Sequence, residues 1–251
     1  MTPDRPAALV TGSASGIGRA AALRLARAGY DVAINYSRSE AAARQTLAEL
    51  DHLGGRHLAL RADVSDDAAV AALAEEAGQA FGRLDALVNN AGMTSQTPPD
   101  DLDGVDLAEW DRVFAVNVRG LFQVTRACAP LLRAAGGSVV NVASIVGLRP
   151  GPQPLAYAAS KAAVVSLTRT LSRVLAPEVR VNAVAPGWIE TPLTQVLRDN
   201  EASSRMIVAR TAMARWGTPE EVAGGIVFLA SPAARFVTGA ILAIDGGYLA
   251  V

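Results

Sequence analysis

Short apolar segments alternate with longer amphipathic segments along this chain, and this alternation limits the possible folds more than any other feature. Segments rich in β-branched or aliphatic residues are predicted strands: residues 7–10, 31–36, 57–61, 86–89, 138–143, 180–184 and 241–244. Ala-, Leu- and Arg-rich segments between them are predicted helices: residues 16–28, 40–53, 66–81, 107–133, 155–175 and 219–230. Most strand segments are apolar without alternation, which is typical of strands covered on both faces of a parallel sheet. The pattern predicts an α/β protein in which residues 1–251 form a single domain, a Rossmann-like, doubly wound parallel sheet of about seven strands with helices on both faces.

Helix boundaries and irregular segments can also be predicted locally. Residues 106–109 (DLAE) and 218–221 (TPEE) have the pattern of capping boxes at helix starts. Residues 93–105 contain two prolines and three aspartates, and we expect this segment to be irregular. We expect the same of residues 187–215.

Composition and charge exclude several classes of protein. The net charge is −1 and the arginines are scattered, whereas a nucleic-acid-binding domain usually has a basic stripe. Cys128 is the single cysteine, so an internal disulfide is impossible, which fits a reducing cytoplasm. The N-terminal residues lack the apolar region of a signal peptide, and no apolar stretch approaches the roughly 18 residues of a membrane span. His52 and His57 have no partners at metal-binding spacing. We therefore expect a cytoplasmic protein that binds neither nucleic acid, nor membrane, nor metal.

A glycine-rich segment follows the first predicted strand and begins the first predicted helix. Glycines at such a turn let the backbone approach a pyrophosphate, which then lies at the positive end of the helix. The spacing is G-x-x-x-G-x-G rather than G-x-G-x-x-G, and alone it also fits an ordinary strand-to-helix turn. The candidate phosphate-binding residues are Gly12, Ser15, Gly16, Ile17 and Gly18.

Further short motifs follow the glycine segment in a fixed order. They are Asn89-Asn90-Ala91-Gly92, Asn117, Ser144, Tyr157-x-x-x-Lys161 and Pro186-Gly187. This ordered set resembles the short-chain dehydrogenase/reductase family, including its 3-oxoacyl-(acyl-carrier-protein) reductase-like members. The resemblance extends from Ala7 to Asp245-Gly246-Gly247 and implies hydride transfer between a nicotinamide cofactor and a carbonyl or alcohol carbon.

Tyr157 and Lys161 are the central catalytic candidates because residues four apart share one face of a helix. A phenol of pKa about 10 becomes a useful acid/base near pH 7 if its pKa falls by about 3 units. An ammonium about 4 Å away supplies about 4 kcal/mol at an effective dielectric near 20, which is sufficient. Ser144 would hydrogen-bond the substrate oxygen. The resemblance implies that Asn117 holds a water that connects the lysine to solvent; each residue alone also fits an ordinary structural role.

The resemblance implies further cofactor contacts around these residues. Asp63 and Val64 match positions beside adenine, although Asp63 also fits a cap for the next helix. A second group matches positions beside the ribose and the carboxamide of the nicotinamide half: Asn90, Ala91, Gly92, Tyr157, Lys161, Pro186, Gly187, Ile189 and Thr191.

Cofactor choice depends on the end of the second predicted strand. An NAD site usually has a carboxylate there for the ribose 2′-hydroxyl, and this chain has Tyr36. Ser37 and Arg38 follow, and a guanidinium suits a 2′-phosphate, although Arg38 also fits a solvated loop residue. We expect NADP(H) to be preferred and NAD(H) to remain possible.

Three functions remain open at this point. A free small-molecule ketone or secondary alcohol is the favoured substrate, and reduction of a 3-oxoacyl group on an acyl carrier protein is the alternative. Arg126, Arg133, Arg169 and Arg173 could contact an acidic carrier, but Pro130 stands where such a reductase would have an arginine, and residues 93–105 are acidic. A non-catalytic nucleotide-binding sensor is the third possibility, and the complete catalytic set disfavours it.

The two longest predicted helices suggest an oligomer. They carry apolar residues beyond one face, for example Val113, Val116, Val118 and Leu121, and the chain ends on the apolar Tyr248-Leu249-Ala250-Val251. The resemblance implies that these helices pair across a two-fold axis and that the C-terminal segment forms another interface. We therefore expect a homotetramer.

Overall fold

Seven parallel strands form a sheet in the computed structural model, which describes residues 5–95 and 97–250. The strands are β1 (Ala7–Val10), β2 (Asp31–Tyr36), β3 (His57–Arg61), β4 (Ala86–Asn89), β5 (Ser138–Val142), β6 (Arg180–Pro186) and β7 (Ile241–Ile244). Their order across the sheet is β3-β2-β1-β4-β5-β6-β7. The Rossmann-like architecture expected from the sequence is confirmed, with small differences at the ends of β5 and β6.

Helices cover both faces of the sheet. They are α1 (Gly16–Arg27), α2 (Glu40–Asp51), α3 (Asp67–Phe81), α4 (Leu107–Phe114), α5 (Leu121–Ala135), α6 (Leu155–Val174), α7 (Gln195–Asp199), α8 (Glu201–Arg210) and α9 (Pro219–Ala230). Buried side chains of α1, α2 and α9 form the core on one face, and those of α3, α5 and α6 form the core on the other. Because both faces are covered, the central strands are almost wholly apolar.

The strand order changes direction at β1: β2 and β3 lie on one side of this strand, and β4 to β7 lie on the other side. Ligands of doubly wound sheets bind at such a switch point, beside the carboxyl ends of the strands. Here the loops after β1 and β4 are joined, since the Asn90 Nδ2 group donates to the carbonyl oxygens of Thr11 and Gly12 at 2.9 Å each. The Thr11 hydroxyl accepts from the backbone N–H groups of Asn90 and Ala91 at 3.0 Å. The loops after β1 and β4 therefore form one hydrogen-bonded unit at the switch point.

A buried polar ladder, which is a chain of side-chain hydrogen bonds, connects helices α5 and α6 to strands β4 and β5. Asn89 of β4 donates from Nδ2 to Asn141 of β5 and to Thr125 of α5, each at 2.9 Å. Asn141 in turn donates to Thr168 of α6 at 2.9 Å. Because these side chains are buried, each bond broken would leave an unsatisfied polar group, so the ladder holds α5 and α6 in register with the sheet.

The predicted helix over residues 107–133 is confirmed in its extent, since the chain is helical from Leu107 to Ala135, but the prediction missed a change of helix type within it. A π-helical segment, Ala115–Gly120, separates α4 from α5. Asn117 lies in this segment, and its side chain bonds Met93 and Ser160, which belong to other parts of the chain. Apolar periodicity cannot reveal such a segment because its stabilising bonds are tertiary.

The prediction that residues 187–215 are irregular is also wrong in part, because α7 and α8 lie there. The Asn200 side chain caps α8 by accepting the N–H of Ser203 at 2.9 Å. Among the residues of α8 only Ile207 is buried, so the helix shows no amphipathic stripe that a pattern search would detect.

The two predicted capping boxes differ in outcome. The box of Thr218 and Glu221 is present at the start of α9. Asp106 caps α4 through the N–H of Ala108, but Glu109 accepts a hydrogen bond from the Ser95 hydroxyl instead of closing the box. No helix in the described residues is long and apolar enough to span a membrane.

Candidate active site

A cleft of about 900 Å³ opens along the carboxyl ends of the strands. It is lined by most of the residues that the sequence singled out: Gly12, Ser15, Gly16, Ile17, Ser37, Arg38, Asp63, Val64, Asn90, Ala91, Gly92, Ser144, Tyr157, Lys161, Pro186, Gly187, Ile189 and Thr191. Gly18 and Asn117 are absent from this lining. One cavity therefore holds both the glycine segment and the candidate catalytic residues.

The glycine segment needs its glycines for different physical reasons. Gly12 has a φ of +61°, and a Cβ there would lie 2.7 Å from the Cα of Ala91. A Cβ at Gly18 would lie 2.4 Å from Asn90 Nδ2. Gly12 thus permits a strained turn against the loop after β4, and Gly18 makes room for the side chain that joins the two loops.

The start of α1 fits the phosphates of a dinucleotide. Ser15 is the N-cap residue, its side chain makes no capping bond, and the first turn of the helix carries no acidic residue. The first N–H groups of the helix are therefore available to an anion at its positive end. The cleft volume also lies within the range of about 300–1,000 Å³ usual for ligand sites.

The far end of the cleft contains the residues expected to select the cofactor. Ser37 and Arg38 line it, whereas Tyr36 packs against the core beside α1 and α2. Asp63 accepts hydrogen bonds from the Ser65 backbone and hydroxyl at 2.9 and 2.7 Å. These two bonds lower the pKa of Asp63 most, and the positive charge of Arg38 lowers it further. Asp63 lies in the cleft and makes a local turn with Ser65, but it does not cap the next helix, because the N-cap of α3 is Asp66.

Ser144, Tyr157 and Lys161 meet on one wall of the cleft. Lys161 is buried, its Nζ donates to the Val142 carbonyl oxygen at 2.8 Å, and it lies 5.7 Å from the centre of the Tyr157 ring. Ser144 follows β5, and its hydroxyl is close enough to the Tyr157 hydroxyl to lower the pKa of that phenol. Strand β5 and helix α6 together bring these three groups into one place.

The pKa of Tyr157 differs from the value near 7 that we expected from the sequence. Burial raises the pKa of Tyr157 above its usual 10, and the hydrogen bond with Ser144 lowers it by less. Burial also lowers the pKa of Lys161 to about 8. The expected fall of the tyrosine pKa towards 7 is therefore not found, because the loss of hydration outweighs the effect of Ser144.

The Asn117 side chain lies behind the cleft wall. Its Oδ1 accepts the N–H of Met93 at 2.8 Å, and its Nδ2 donates to the Met93 carbonyl and to the Ser160 hydroxyl at 2.9 Å each. The residue is buried. Its side chain is thus bound on both sides by protein groups rather than exposed to substrate.

Sequence reasoning missed part of the cleft lining. The missed residues include Met93, Thr94, Glu109, Arg112, Ala115, Val116, Pro192, Leu193 and Thr194. They come from separate segments and form no motif. The spacing of Glu109 and Arg112, three apart in a predicted helix, could have placed them on a common face, but nothing local indicated that this face lines a cleft.

The described residues contain no group of three or more His, Cys, Asp and Glu side chains that could hold a metal ion.

Comparison with known proteins gives consistent matches over nearly the whole chain. A family model described as enoyl-(acyl carrier protein) reductase matches residues 12–249. A 3-oxoacyl-[acyl-carrier-protein] reductase of Synechocystis is 41% identical, over 96% of this chain and 95% of the relative. A crystal structure of a gluconate 5-dehydrogenase from Burkholderia cenocepacia, in complex with NADP and tartrate, is 36% identical, with a TM-score of 0.92 over 99% and 96% of the two chains. A structure from Burkholderia xenovorans described as a short-chain dehydrogenase/reductase is 38% identical, with a TM-score of 0.91 over the full length of both chains.

Proposed function

This chain belongs to the short-chain dehydrogenase/reductase family and is an oxidoreductase of ketones and alcohols, and from this premise we propose a specific cofactor, acid/base and substrate. The cofactor is NADP(H) in preference to NAD(H), the general acid/base is Tyr157, and the substrate is a free small molecule. Residues 1–251 act as one catalytic domain.

The observation that carries the proposal is the convergence of Ser144, Tyr157 and Lys161 in the cleft that also holds the glycine segment. A bound NADPH supplies the hydride that reaches the carbonyl carbon. The Tyr157 hydroxyl transfers its proton to the carbonyl oxygen, and the Ser144 hydroxyl holds that oxygen in place. Oxidation of an alcohol reverses both transfers.

The raised pKa of Tyr157 suits the first half of this reaction. It keeps the phenol protonated at neutral pH, as a proton donor must be. The Lys161 ammonium, whose pKa of about 8 leaves it mostly charged at pH 7, stabilises the phenolate that forms when the proton leaves. A phenol that is protonated at rest and stabilised as the anion is a competent general acid.

The cofactor assignment depends on the far end of the cleft. Ser37 and Arg38 offer a hydroxyl and a guanidinium to a 2′-phosphate, and Tyr36 leaves no carboxylate there to bind a 2′-hydroxyl. The bound NADP of the Burkholderia cenocepacia relative supports this choice.

Two substrate classes are supported by different relatives. The gluconate 5-dehydrogenase favours a small polar molecule, and the Synechocystis reductase favours a 3-oxoacyl group on a carrier protein. Of the arginines that could contact a carrier, Arg169 and Arg173 line a shallow depression on α6, while Arg126 is paired with Asp67. We rank the free small molecule first because the acidic side chains of Asp100, Asp101 and Asp103 are exposed and would repel an acidic carrier.

The test is the oxidation of NADPH and NADH with matched substrates. The panel contains small hydroxylated ketones, their alcohols, and an acetoacetyl thioester presented on acyl carrier protein and on a short pantetheine mimic. We expect the highest kcat/KM with NADPH and a free ketone. A preference of more than about tenfold for the carrier-bound thioester over the mimic would establish the second class instead.

We also propose that the protein is a homotetramer. Val113 and Leu121, expected at an interface, are instead in the core, but Phe114, Val118, Phe122 and Leu167 line an apolar surface groove across α4, α5 and α6. Such a patch on a surface helix supports pairing with another copy.

A further inference from the structure

Ser160 connects the π-helical segment to the helix that carries the proposed acid/base. It is completely buried and immediately precedes Lys161 in α6. Its hydroxyl accepts a hydrogen bond from Asn117 Nδ2 at 2.9 Å and donates one to the Tyr157 carbonyl oxygen at 2.7 Å. The chain Asn117–Ser160–Tyr157 is therefore continuous from the π-helical segment to the backbone of the tyrosine.

The other end of this chain is held by the loop after β4. Asn117 binds the N–H and the carbonyl of Met93 at 2.8 and 2.9 Å. Together with the two bonds of the Ser160 hydroxyl, these contacts tie three separate parts of the protein: the loop after β4, the π-helical segment and the start of α6. A π-helical segment is rare and is frequently found at functional sites, and the tertiary bonds of Asn117 stabilise this one.

Tyr157 lies where a helix is least well held by its own hydrogen bonds. It belongs to the first turn of α6, and the N-cap residue of this helix, Pro154, makes no side-chain cap. The first N–H groups of a helix lack partners within the helix, and helix ends fray. The hydroxyl of Ser160 donates to the Tyr157 carbonyl and accepts from Asn117, so it joins this first turn to a residue outside α6.

We infer that Ser160 is a positioning residue for the reaction: its hydroxyl locks the first turn of α6 onto Asn117 and so holds the Tyr157 hydroxyl at the place where it meets the substrate oxygen. This inference rests on the proposed role of Tyr157. Ser160 touches neither cleft nor substrate and acts only through its two neighbours.

Ser172 supplies a matched control on the same helix. Its hydroxyl donates to the Arg169 carbonyl oxygen at 2.8 Å, which is the same bond three residues back that Ser160 makes, and it is also buried. It lies about three turns further along α6 and does not line the cleft. A Ser172→Ala change therefore removes the same intrahelical bond without touching the link to Asn117.

The experiment compares Ser160→Ala with Ser172→Ala in steady-state reduction, NADPH binding and thermal unfolding. Displacement of a reacting group by about 1 Å can cost up to about 100-fold, so we expect Ser160→Ala to lower kcat at least about tenfold. We expect the Kd for NADPH to stay within about twofold, and Ser172→Ala to keep at least half of the wild-type kcat. A Ser160→Ala enzyme with more than half of the wild-type kcat, or equal losses in both variants, overturns the inference.

Two further variants keep the test decisive. Ser160→Thr retains the hydroxyl, and we expect its kcat to lie within about threefold of the wild type; a loss as large as that of Ser160→Ala counts against the inference. If Ser160→Ala does not fold, Ser160→Cys replaces it, because a thiol fills the space and is only a weak hydrogen-bonding group. Its kcat must then fall in the same way.

The route through Asn117 is tested by a double variant, and the dependence on Tyr157 by a separate one. In an Asn117→Ala background, we expect the further change Ser160→Ala to lower kcat by less than about threefold. If the losses of the two single variants multiply in full, Ser160 does not act through Asn117.

Tyr157→Phe in the same panel separates the acid/base role of Tyr157 from the positioning role of Ser160. If it stays active, the proposed acid/base is wrong, whereas if it is inactive and Ser160→Ala is unimpaired, only the positioning role fails.

Discussion

Lys161 is tied to the end of β5 by a hydrogen bond of 2.8 Å from its Nζ atom to the carbonyl oxygen of Val142. Ser144 follows Val142 by two residues, so one strand end sets the place of both the ammonium and the hydroxyl. Because β5 lies inside the sheet and is buried along its whole length, this reference point is rigid. The relationship explains how a long, flexible lysine side chain can act at a defined position beside Tyr157.

Tyr157→Phe removes the proposed proton donor and keeps the ring. We expect turnover to fall about 100-fold or more and NADPH binding to stay within about twofold, because general acid catalysis contributes about that factor. Steady-state kinetics and fluorescence titration of NADPH check both parts. More than about a tenth of the wild-type rate would refute the acid/base assignment.

Arg38→Ala tests the cofactor preference. We expect kcat/KM with NADPH to fall about tenfold or more, since a hydrogen bond to a charged group contributes about 1.5–3 kcal/mol, and kcat/KM with NADH to change little. Arg44→Ala is the control, because Arg44 pairs with the exposed Glu40 and does not line the cleft. Equal losses with both cofactors would mean that Arg38 does not bind the 2′-phosphate.

Lys161→Met tests the cost of burying the lysine. The pKa in the folded protein is about 8, below the usual 10.5, so at neutral pH the unfolded chain holds this proton more tightly than the folded one. Burial of the charge therefore costs about 3 kcal/mol at pH 7, and this cost disappears as the pH rises from about 8 towards 10.5. Urea unfolding of wild type and variant should show a stability advantage of Lys161→Met that is largest near pH 7 and shrinks by pH 9. An advantage that does not change with pH would contradict the buried, charged lysine.

Cys128 should be unreactive in the native protein. Burial raises the pKa of its thiol to about 12, and the thiolate is the reactive form. We expect iodoacetamide at pH 8 to leave the folded enzyme unlabelled and fully active, and to label it completely in guanidinium chloride. Rapid labelling of the folded enzyme at this position, read by mass spectrometry, would mean that α5 opens far more often than its packing suggests.

Phe122→Glu tests the proposed assembly. We expect light scattering of the wild type at micromolar concentration to give four times the chain mass of 25.9 kDa, and the variant to give a smaller species. Phe122 lines the apolar groove and is 40% exposed in the isolated chain, so a charge there would be desolvated on pairing. Met206→Glu, on an exposed face of α8, is the control. A monomeric wild type refutes the oligomer, and a stable dimer refutes only the tetramer.

The amino-acid sequence by itself determined the seven strands, the helices that cover the sheet, the glycine turn after β1 and the common face of Tyr157 and Lys161. These features are local. Apolar periodicity reports burial on one or both faces, glycine reports a backbone conformation, and a spacing of four reports one side of a helix. Each needs only neighbouring residues, and each agrees with the structure.

Only the tertiary structure decided the π-helical segment, the place of Glu109 and Arg112 in the cleft, and the direction of the Tyr157 and Lys161 pKa shifts. All of them depend on groups distant in the chain. Asn117 meets Met93 and Ser160 across 24 and 43 residues, and Lys161 loses its hydration because several elements close around it. Hydrogen bonding across such separations and removal of charge from water are properties of the packed molecule, so no local pattern in the sequence carries them.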